Sequence, residues 1–435
     1  MTITTFPPAT PEAKPDPRVF RPEGQTFLVG HTLFLRGLEP EDAHRASAWR
    51  NSPYPITSER AGEIIKEMSE KQRPGHHTWV ACRRSDGAPV GSIRMRQGSD
   101  KFVWTDLSPY VDPALPDGEA IMAETVRLVV EWGFGEAEVP RYRLHLGDDQ
   151  PGLRAAAARL GMHHDVSWRE RRWRGGRWHT AHTCSIGHPA WVRRLGDPSP
   201  GIVYAMLPDD PARWRPRPHP TLGTVDGDPP ANAVMVGPRV FLRPLELADA
   251  VDFVLGDRRD EETYMDSGRY PGSVEDVRRW FRSMSKDDPP GDVSFAVCRR
   301  SDGTLIGMNG VSSIDRIDRT GETESWFFYG LGRDQGFGTE AKHLLLAYAF
   351  DRLGLHSVRS MVWGPNGRSA AALIKQGYRE CGRTPWAGTR DGEYTYYRHF
   401  DLLADEWREM TARAAVSAND QGEDGASKPV PERTR

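Results

Sequence analysis

Cysteine is scarce in this chain: Cys82, Cys184, Cys298 and Cys381 are the four among 435 residues, and none stands in a C-x-x-C pair. That spacing excludes a disulfide framework and points to a reducing cytoplasm. No apolar run approaches the ~20 residues a membrane helix needs. The opening M-T-I-T-T-F-P-P lacks the basic-then-apolar order of a secretory signal. An excess of one charge is missing too: 58 Lys+Arg meet 61 Asp+Glu for a net −3. Without a basic footprint, nucleic acid is not an expected partner, and neither is a membrane. The adjacent pairs His76–His77 and His163–His164 cannot both face one ion from a strand, and no H-E-x-x-H occurs, so no metal is expected. Neither a G-x-S-x-G elbow nor a Walker loop is present.

What the chain does have is a repeat of itself. C-R-R-S-D-G stands at Cys82–Gly87 and again, 216 residues on, at Cys298–Gly303. The same offset relates Gly161 to Gly377 and Trp191 to Trp407. Near the start of each copy, F-L-R-G-L-E-P-E-D-A (Phe34–Ala43) answers F-L-R-P-L-E-L-A-D-A (Phe241–Ala250). A period of this length is a duplicated domain, not a solenoid. Residues 1–22, rich in proline and charge, read as a disordered arm, and 413–435 as a disordered tail. The first copy is expected over 23–200, a proline-rich linker over 201–232, and the second copy over 233–412. Each copy alternates strands and helices in one order, with a hairpin turning at S-D-G; the class is mixed α/β. A strand is expected over Thr26–Arg36, where order begins. In the second copy a strand over Val358–Trp363, a helix over Arg368–Gln376 and a last strand over Tyr394–Leu402 are expected.

The second copy is organised around Arg333–Glu340, R-D-Q-G-F-G-T-E. It follows the strand-like E-S-W-F-F-Y (Glu324–Tyr329) and opens a run in which Ala341, Leu344, Leu345 and Tyr348 keep helical period. Strand, glycine turn and helix start together point several unbonded N–H groups, and the positive end of a helix dipole, at one spot. Gly336 and Gly338 let a ligand approach the backbone. Thr339 can cap the helix or touch a phosphate.

R-x-x-G-x-G followed by T-E-A resembles the acyl-CoA pyrophosphate loop of the GNAT superfamily of N-acetyltransferases, most closely its ribosomal-protein N-terminal branch. The resemblance implies two tandem GNAT folds and acetyl-CoA as co-substrate. Cofactor contacts then fall on Arg333, Asp334, Gln335, Gly336, Phe337, Gly338 and Thr339 at the loop. Main chain at Phe328, Tyr329 and Leu331 would pair with pantetheine, at a strand bulge. Gly364–Tyr378 resembles the family's N-x-x-S…K-x-G-[FY] segment, which makes Asn366 a pantetheine contact, beside its ordinary role as a helix-start residue.

For proton transfer the resemblance departs from the commonest pattern: the helix position that many relatives fill with Tyr is Leu373 here. Ser369 is the candidate acid, with N-terminal capping as its other role. Glu322 and Glu324 share one side of a strand, and Glu324 is the candidate base; a solvated strand carboxylate is the alternative. The amine acceptor is unidentified, a small molecule or a protein N-terminus. Its side of the site would use Asp266–Pro271 and Thr384–Glu393, with Trp386 a candidate lining residue.

In the first copy the loop reads L-P-D-G-E-A (Leu115–Ala120), with Gly118 and Ala120 set against the two glycines. Pro116 removes a donor, and Asp117 and Glu119 place negative charge where phosphates would lie. Gln150 stands at the Asn position and Leu153 at the Ser position. A degenerate copy that binds acyl-CoA poorly is expected. Its last hairpin, Trp168–Trp178, alternates Trp and Arg; an anionic partner and internal cation–π pairs are both open. A homodimer and an internal pseudo-dimer of the two copies are likewise both open. Two other functions remain in view: a non-catalytic acyl-CoA-binding regulatory module, and an aminoacyl-tRNA-dependent transferase, against which the intact loop and balanced charge argue.

Overall fold

The computed structural model describes residues 26–52, 54–70, 75–98, 104–195, 227–228, 230–258, 272–284, 288–328, 330–331, 336–390 and 393–412. The expected arm, tail and nearly all of the linker lie outside them. In chain order the first half holds β1 (Thr26–Val29), β2 (Leu33–Gly37), α1 (Ala46–Trp49), α2 (Ser58–Glu70), β3 (His76–Arg83), β4 (Pro89–Gln97) and β5 (Thr105–Val111). It continues with α3 (Gly118–Gly135), β6 (Arg141–Gly147), α4 (Pro151–Arg159), β7 (His163–Arg174), β8 (Arg177–Gly187) and α5 (Pro189–Leu195). The second half repeats this with β9 (Met235–Val236), β10 (Val240–Pro244), α6 (Ala250–Arg258), α7 (Val274–Met284), β11 (Val293–Arg299), β12 (Leu305–Asp315) and β13 (Thr320–Phe327). Then come α8 (Phe337–Ala347), β14 (Ser357–Trp363), α9 (Gly367–Lys375), β15 (Arg379–Arg390) and β16 (Glu393–Leu403).

The strand orders match: β1-β2-β3-β4-β5-β6-β8-β7 in one half, β9-β10-β11-β12-β13-β14-β16-β15 in the other. Neighbours are antiparallel except β5/β6 and β13/β14, which are parallel. Two compact units form, each from several stretches of chain. Of the described residues, unit 1 takes those within 26–165, 181–195 and 385–394, and unit 2 those within 166–180, 227–384 and 395–412. The family duplication is nonetheless intact: mixed α/β folds with helices on both sheet faces. In unit 2 one face packs α8 and α9 through Leu344, Leu345, Ala370 and Leu373, and the other packs Phe253 of α6 and Phe281 of α7 against Trp326 and Phe328.

Local sequence explains most boundaries. The S-D-G turns close the hairpins β3/β4 and β11/β12 with Gly87 and Gly303 at φ +70° and +73°, where a side chain is disfavoured. The expected helix and final strands of unit 2 are found within a residue or two. The Thr26–Arg36 strand is instead two antiparallel strands, Thr26 opposite Arg36, because Gly30-His31-Thr32 makes the turn.

A carboxylate, buried in unit 2 and half-buried in unit 1, ties the second strand of each copy to its long helix. Glu340 of α8 accepts the N–H groups of Arg239 (2.8 Å) and Val240 (3.0 Å) and the Arg239 Nε (2.9 Å). Glu124 of α3 does the same for Thr32 N at 3.0 Å. This brace fixes the register between copies and corrects the earlier alignment: Gly336 falls on Ala120 and Gly338 on Met122, both inside α3. Unit 1 has therefore wound its loop into helix.

The Trp/Arg hairpin belongs to unit 2, where Arg169 and Arg174 are paired with carboxylates of that unit. Arg169 donates to the buried Asp401 from Nε (2.9 Å), Nη2 (2.6 Å) and its own N–H (2.9 Å), and to Glu406 at 2.7 and 3.0 Å. Trp178 stacks on His356 at 3.8 Å, and the Arg359 guanidinium lies 5.5 Å over Trp168. Burial pushes the Asp401 carboxyl up, against the pull of Arg169. Arg169→Ala is therefore expected to cost roughly 3–5 kcal/mol in denaturant unfolding of unit 2, since it strands a buried carboxylate. Pairing it with Asp401→Leu should return most of that loss.

Candidate functional site

Strands β13 and β14 are paired over three residues, Thr320–Ser357, Gly321–Val358 and Glu322–Arg359. Both continue beyond: β13 stays bonded to β12 as far as Phe327, and β14 to β16 as far as Trp363. The two strands therefore part, leaving main-chain groups on facing edges without a ladder partner. Side chains close the apex, with Ser360 Oγ donating to the Thr323 carbonyl at 2.9 Å and Thr323 Oγ1 to the Arg359 carbonyl at 3.3 Å. The ion pair from Arg359 Nε to Glu322 Oε2 at 2.9 Å clamps the last bonded rung.

Helix α8 starts beyond the end of β13. Gly336 precedes it at φ +77°, the left-handed region, and Phe337 is its first residue. The opening N–H groups of a helix have no internal acceptor. Gly338 lies against the Phe327 ring, where a Cβ would come within 3.3 Å. The Phe337 side chain is buried in the core, so only its backbone is on offer. Thr339 is half-buried on the first turn. Tyr329, Arg333, Asp334 and Gln335 lie outside the described residues, as does Asp266–Pro271. The bulge expected near Phe328–Leu331 is not in the strand: β13 ends at Phe327, and the chain turns at Gly330, φ +72°. Phe328 is buried and Leu331 half-buried, beside a cavity of about 320 Å³. Asp249, Asp252 and Asp302 on that wall, against Arg243, make it unsuited to a diphosphate.

Asn366 caps α9: its Oδ1 accepts the Ser369 N–H at 3.1 Å. That leaves the Asn366 amide hydrogens and the half-buried Ser369 hydroxyl free for another partner. Both lie on the α8/α9 face. Alternation puts Glu324 on the other face, with Glu322 and Trp326. Glu322 is held by Arg359, whereas Glu324 makes no ion pair among the described residues. Gly310 stands opposite it in the ladder, and the Glu324 carboxylate lies over that glycine, where a Cβ would come within 3.2 Å of its Oε1. Burial, and then the neighbouring Glu322, push the Glu324 carboxyl up, with Lys342 opposing. Trp386 does not line this site: it is buried in unit 1 beside Gly187.

The sequence reading missed Lys342. It stands on the inward side of α8, buried, with Nζ 3.4 Å from Ser325 Oγ and 5.9 Å above the Tyr378 ring centre. Burial pulls its ammonium down to about 7, against the attraction of Glu324 and Glu322. The apolar stretch around position 342 is only a weak local sign; its burial is decided by contact with Ser325 and Tyr378.

In unit 1 the corresponding helix end is filled from within. Glu119 accepts the N–H of Gly152 and, at 3.2 Å, that of Leu153, at the start of α4. An internal carboxylate thus stands where Asn366 does in unit 2, and Leu153 is buried.

A family description, Acetyltransferase (GNAT) domain, matches residues 32–163 and again 239–379, more than half of the chain. A Bacillus subtilis (strain 168) protein named "Putative ribosomal N-acetyltransferase YdaF" is 32% identical over 105 residues, which are 23% of this chain and 52% of that protein. The chain thus spans about half the length of that curated relative. Among solved structures, a dodecameric spermidine N-acetyltransferase from Vibrio cholerae is 20% identical, covering 39% of this chain and 95% of its own, at a TM-score of 0.34. A "putative acetyltransferase" from Sphaerobacter thermophilus is 28% identical over 37% and 96%, at a TM-score of 0.30. Among the described residues, no helix is long and apolar enough to cross a membrane.

Lys342 yields a prediction independent of any ligand. An unfolded chain keeps this amine protonated to about pH 10.4, whereas the folded one releases it above about 7. Between these values the unfolded state binds more protons, so stability rises with pH, by up to about 1.4 kcal/mol per unit. Lys342→Met should remove that rise and stabilise the protein at and below neutral pH, read by denaturant unfolding across the range.

Proposed function

The chain belongs to the acetyltransferase (GNAT) domain family, and on that premise we propose that unit 2 transfers an acetyl group from acetyl-CoA to an amine. The observation that carries this reading is the parting of β13 and β14 beside the open start of α8. An acyl thioester supplies a carbonyl carbon that an uncharged amine attacks, with the thiolate as leaving group. The residues present fit such a co-substrate. Main-chain N–H groups from Arg333 to Thr339 hold the diphosphate, with Gly336 and Gly338 allowing close approach. The free edge of β13, which ends at Phe327, and the Asn366 amide hold the pantetheine arm.

Glu324 takes the proton from the incoming ammonium, directly or through water. Its raised carboxyl suits a base working near neutral pH. Ser369, on the opposite face, donates to the departing sulfur. The gap between the strands joins the two faces, so base and acid act from opposite sides of the thioester. The acceptor is a small-molecule amine or a peptide N-terminus; the name of the Bacillus relative supports including ribosomal-protein N-termini. Balanced charge and the absence of a membrane-length helix among the described residues support a cytoplasmic setting.

Thiol release from acetyl-CoA with a panel of amines and N-terminal peptides tests this reading. At least one acceptor should turn over, and Glu324→Gln should lower kcat on the order of 10²–10⁴-fold with CoA affinity kept. CoA binding without turnover for every amine would replace the enzyme with a regulatory binding module. Gly336→Glu, which puts a side chain at φ +77° and a carboxylate at the helix start, should abolish CoA binding while the far-UV spectrum stays unchanged. Unchanged affinity would sink the placement of the loop.

A further inference from the structure

The two copies can be compared position by position on the sheet face that carries Glu324. Register equates Asp106 with Glu322 and Arg143 with Arg359, and the ion pair survives: Arg143 Nε and Nη2 both lie 2.7 Å from Asp106 Oδ1. The positions around it have changed. Ser108 replaces Glu324, Arg94 replaces the Gly310 that faces it, Arg96 replaces Ser312, and His145 replaces Met361. The ladder pairs Arg94 with Ser108 and Arg96 with Asp106. Side chains at i and i+2 share a face, so these residues of β4, β5 and β6 converge. They line a cavity of about 230 Å³.

Its charge is unbalanced. Among the described residues the one lining carboxylate, Asp106, is committed to the floor of the cavity. Burial would raise Asp106, but His145, at 3.3 Å, and Arg143 outweigh it and hold the carboxyl well below the usual range. Arg143 is itself buried, with its guanidinium 4.0 Å over Trp104. Arg96 touches Asp106 only loosely, at 3.6 Å, which leaves most of its donors open. Arg94 makes no ion pair among the described residues. Two guanidinium forks and a serine hydroxyl are thus unspent around a concave floor.

We propose that unit 1 binds a small anion, a carboxylate or a phosphate group, between Arg94, Arg96 and Ser108; His145 completes the wall, its ring nitrogens already bonded to Thr183 and Asp106. Guanidinium matches either group with paired N–H donors. The volume admits a metabolite-sized ligand but not a nucleotide thioester. The face that offers an amine a base in unit 2 offers an acid two cations here. The inference rests on unit 1 alone and stands whether or not unit 2 is active.

Calorimetric titration of the full chain with inorganic phosphate, and separately with succinate, tests it at fixed ionic strength in chloride. Both arms use the Gly336→Glu background, so that the loop of unit 2 does not compete. At least one probe should bind. Adding Arg94→Glu should weaken it at least tenfold, with the melting temperature unchanged when no probe is present, because the side chain is exposed. Phosphate binding alone would name a phosphate ligand, and succinate binding alone a carboxylate. Equal affinity with and without Arg94→Glu, or no heat from either probe, overturns the proposal.

Discussion

A parallel pair of strands that is bonded for three rungs and then separates imposes an obligation on the rest of unit 2. Past Glu322 and Arg359, alternate residues point backbone donors and acceptors into the gap, where no ladder serves them. The fold meets the demand only at the apex, through Thr323 and Ser360. Everything nearby keeps the remainder open. Strand β12 holds one edge and β16 the other, so the strands cannot close on each other. Glu340 anchors α8 to β10 and thereby fixes where the helix start points. The Glu322–Arg359 pair stops the ladder from fraying further. These are supports for a gap, and the gap makes a thioester-binding reading physical.

The duplicated frame shows which parts are scaffold. Both copies keep the strand order, the carboxylate brace and an acid–arginine pair on the parallel strands, at the last bonded rung in unit 2 and the middle one in unit 1. They differ in what is laid over that frame. Unit 2 leaves a glycine at its helix start and a carboxylate beside a glycine on the sheet. Unit 1 winds the corresponding loop into α3 and exchanges the carboxylate for serine and arginine. Its parallel pair also holds three rungs, Thr105–Tyr142 to Leu107–Leu144, so the opening has not been lost with the loop.

Much of this was legible in the chain because local chemistry decided it. The repeated C-R-R-S-D-G announced both the duplication and its hairpins, since Gly87 and Gly303 need positive φ. Helical period from Ala341 onward, with Gly354 and Gly377 as stops, placed the helices around the site. What escaped was set by tertiary contact. A hairpin within Thr26–Arg36 read as one strand because both arms are apolar. The burial of Lys342 depends on Ser325 and Tyr378, which are remote in sequence. The correct register of the unit 1 loop needed the Glu124 brace. The place of Trp168–Trp178 within unit 2 depended on Asp401 and Glu406, more than two hundred residues away.

Glu119 gives the unit 1 loop a history that runs in one direction. Its carboxylate satisfies two N–H groups at the start of α4, so the copy draws stability from the same spot a ligand would need. Reverting that residue by itself bares both donors, and an unsatisfied buried donor costs about 1–3 kcal/mol. The glycines that would readmit a ligand lie inside α3 and would weaken it, by roughly 1 kcal/mol each, before any ligand returned the favour. No single step back is therefore neutral. While Glu119 holds them, those two N–H groups of α4 are not open to a ligand.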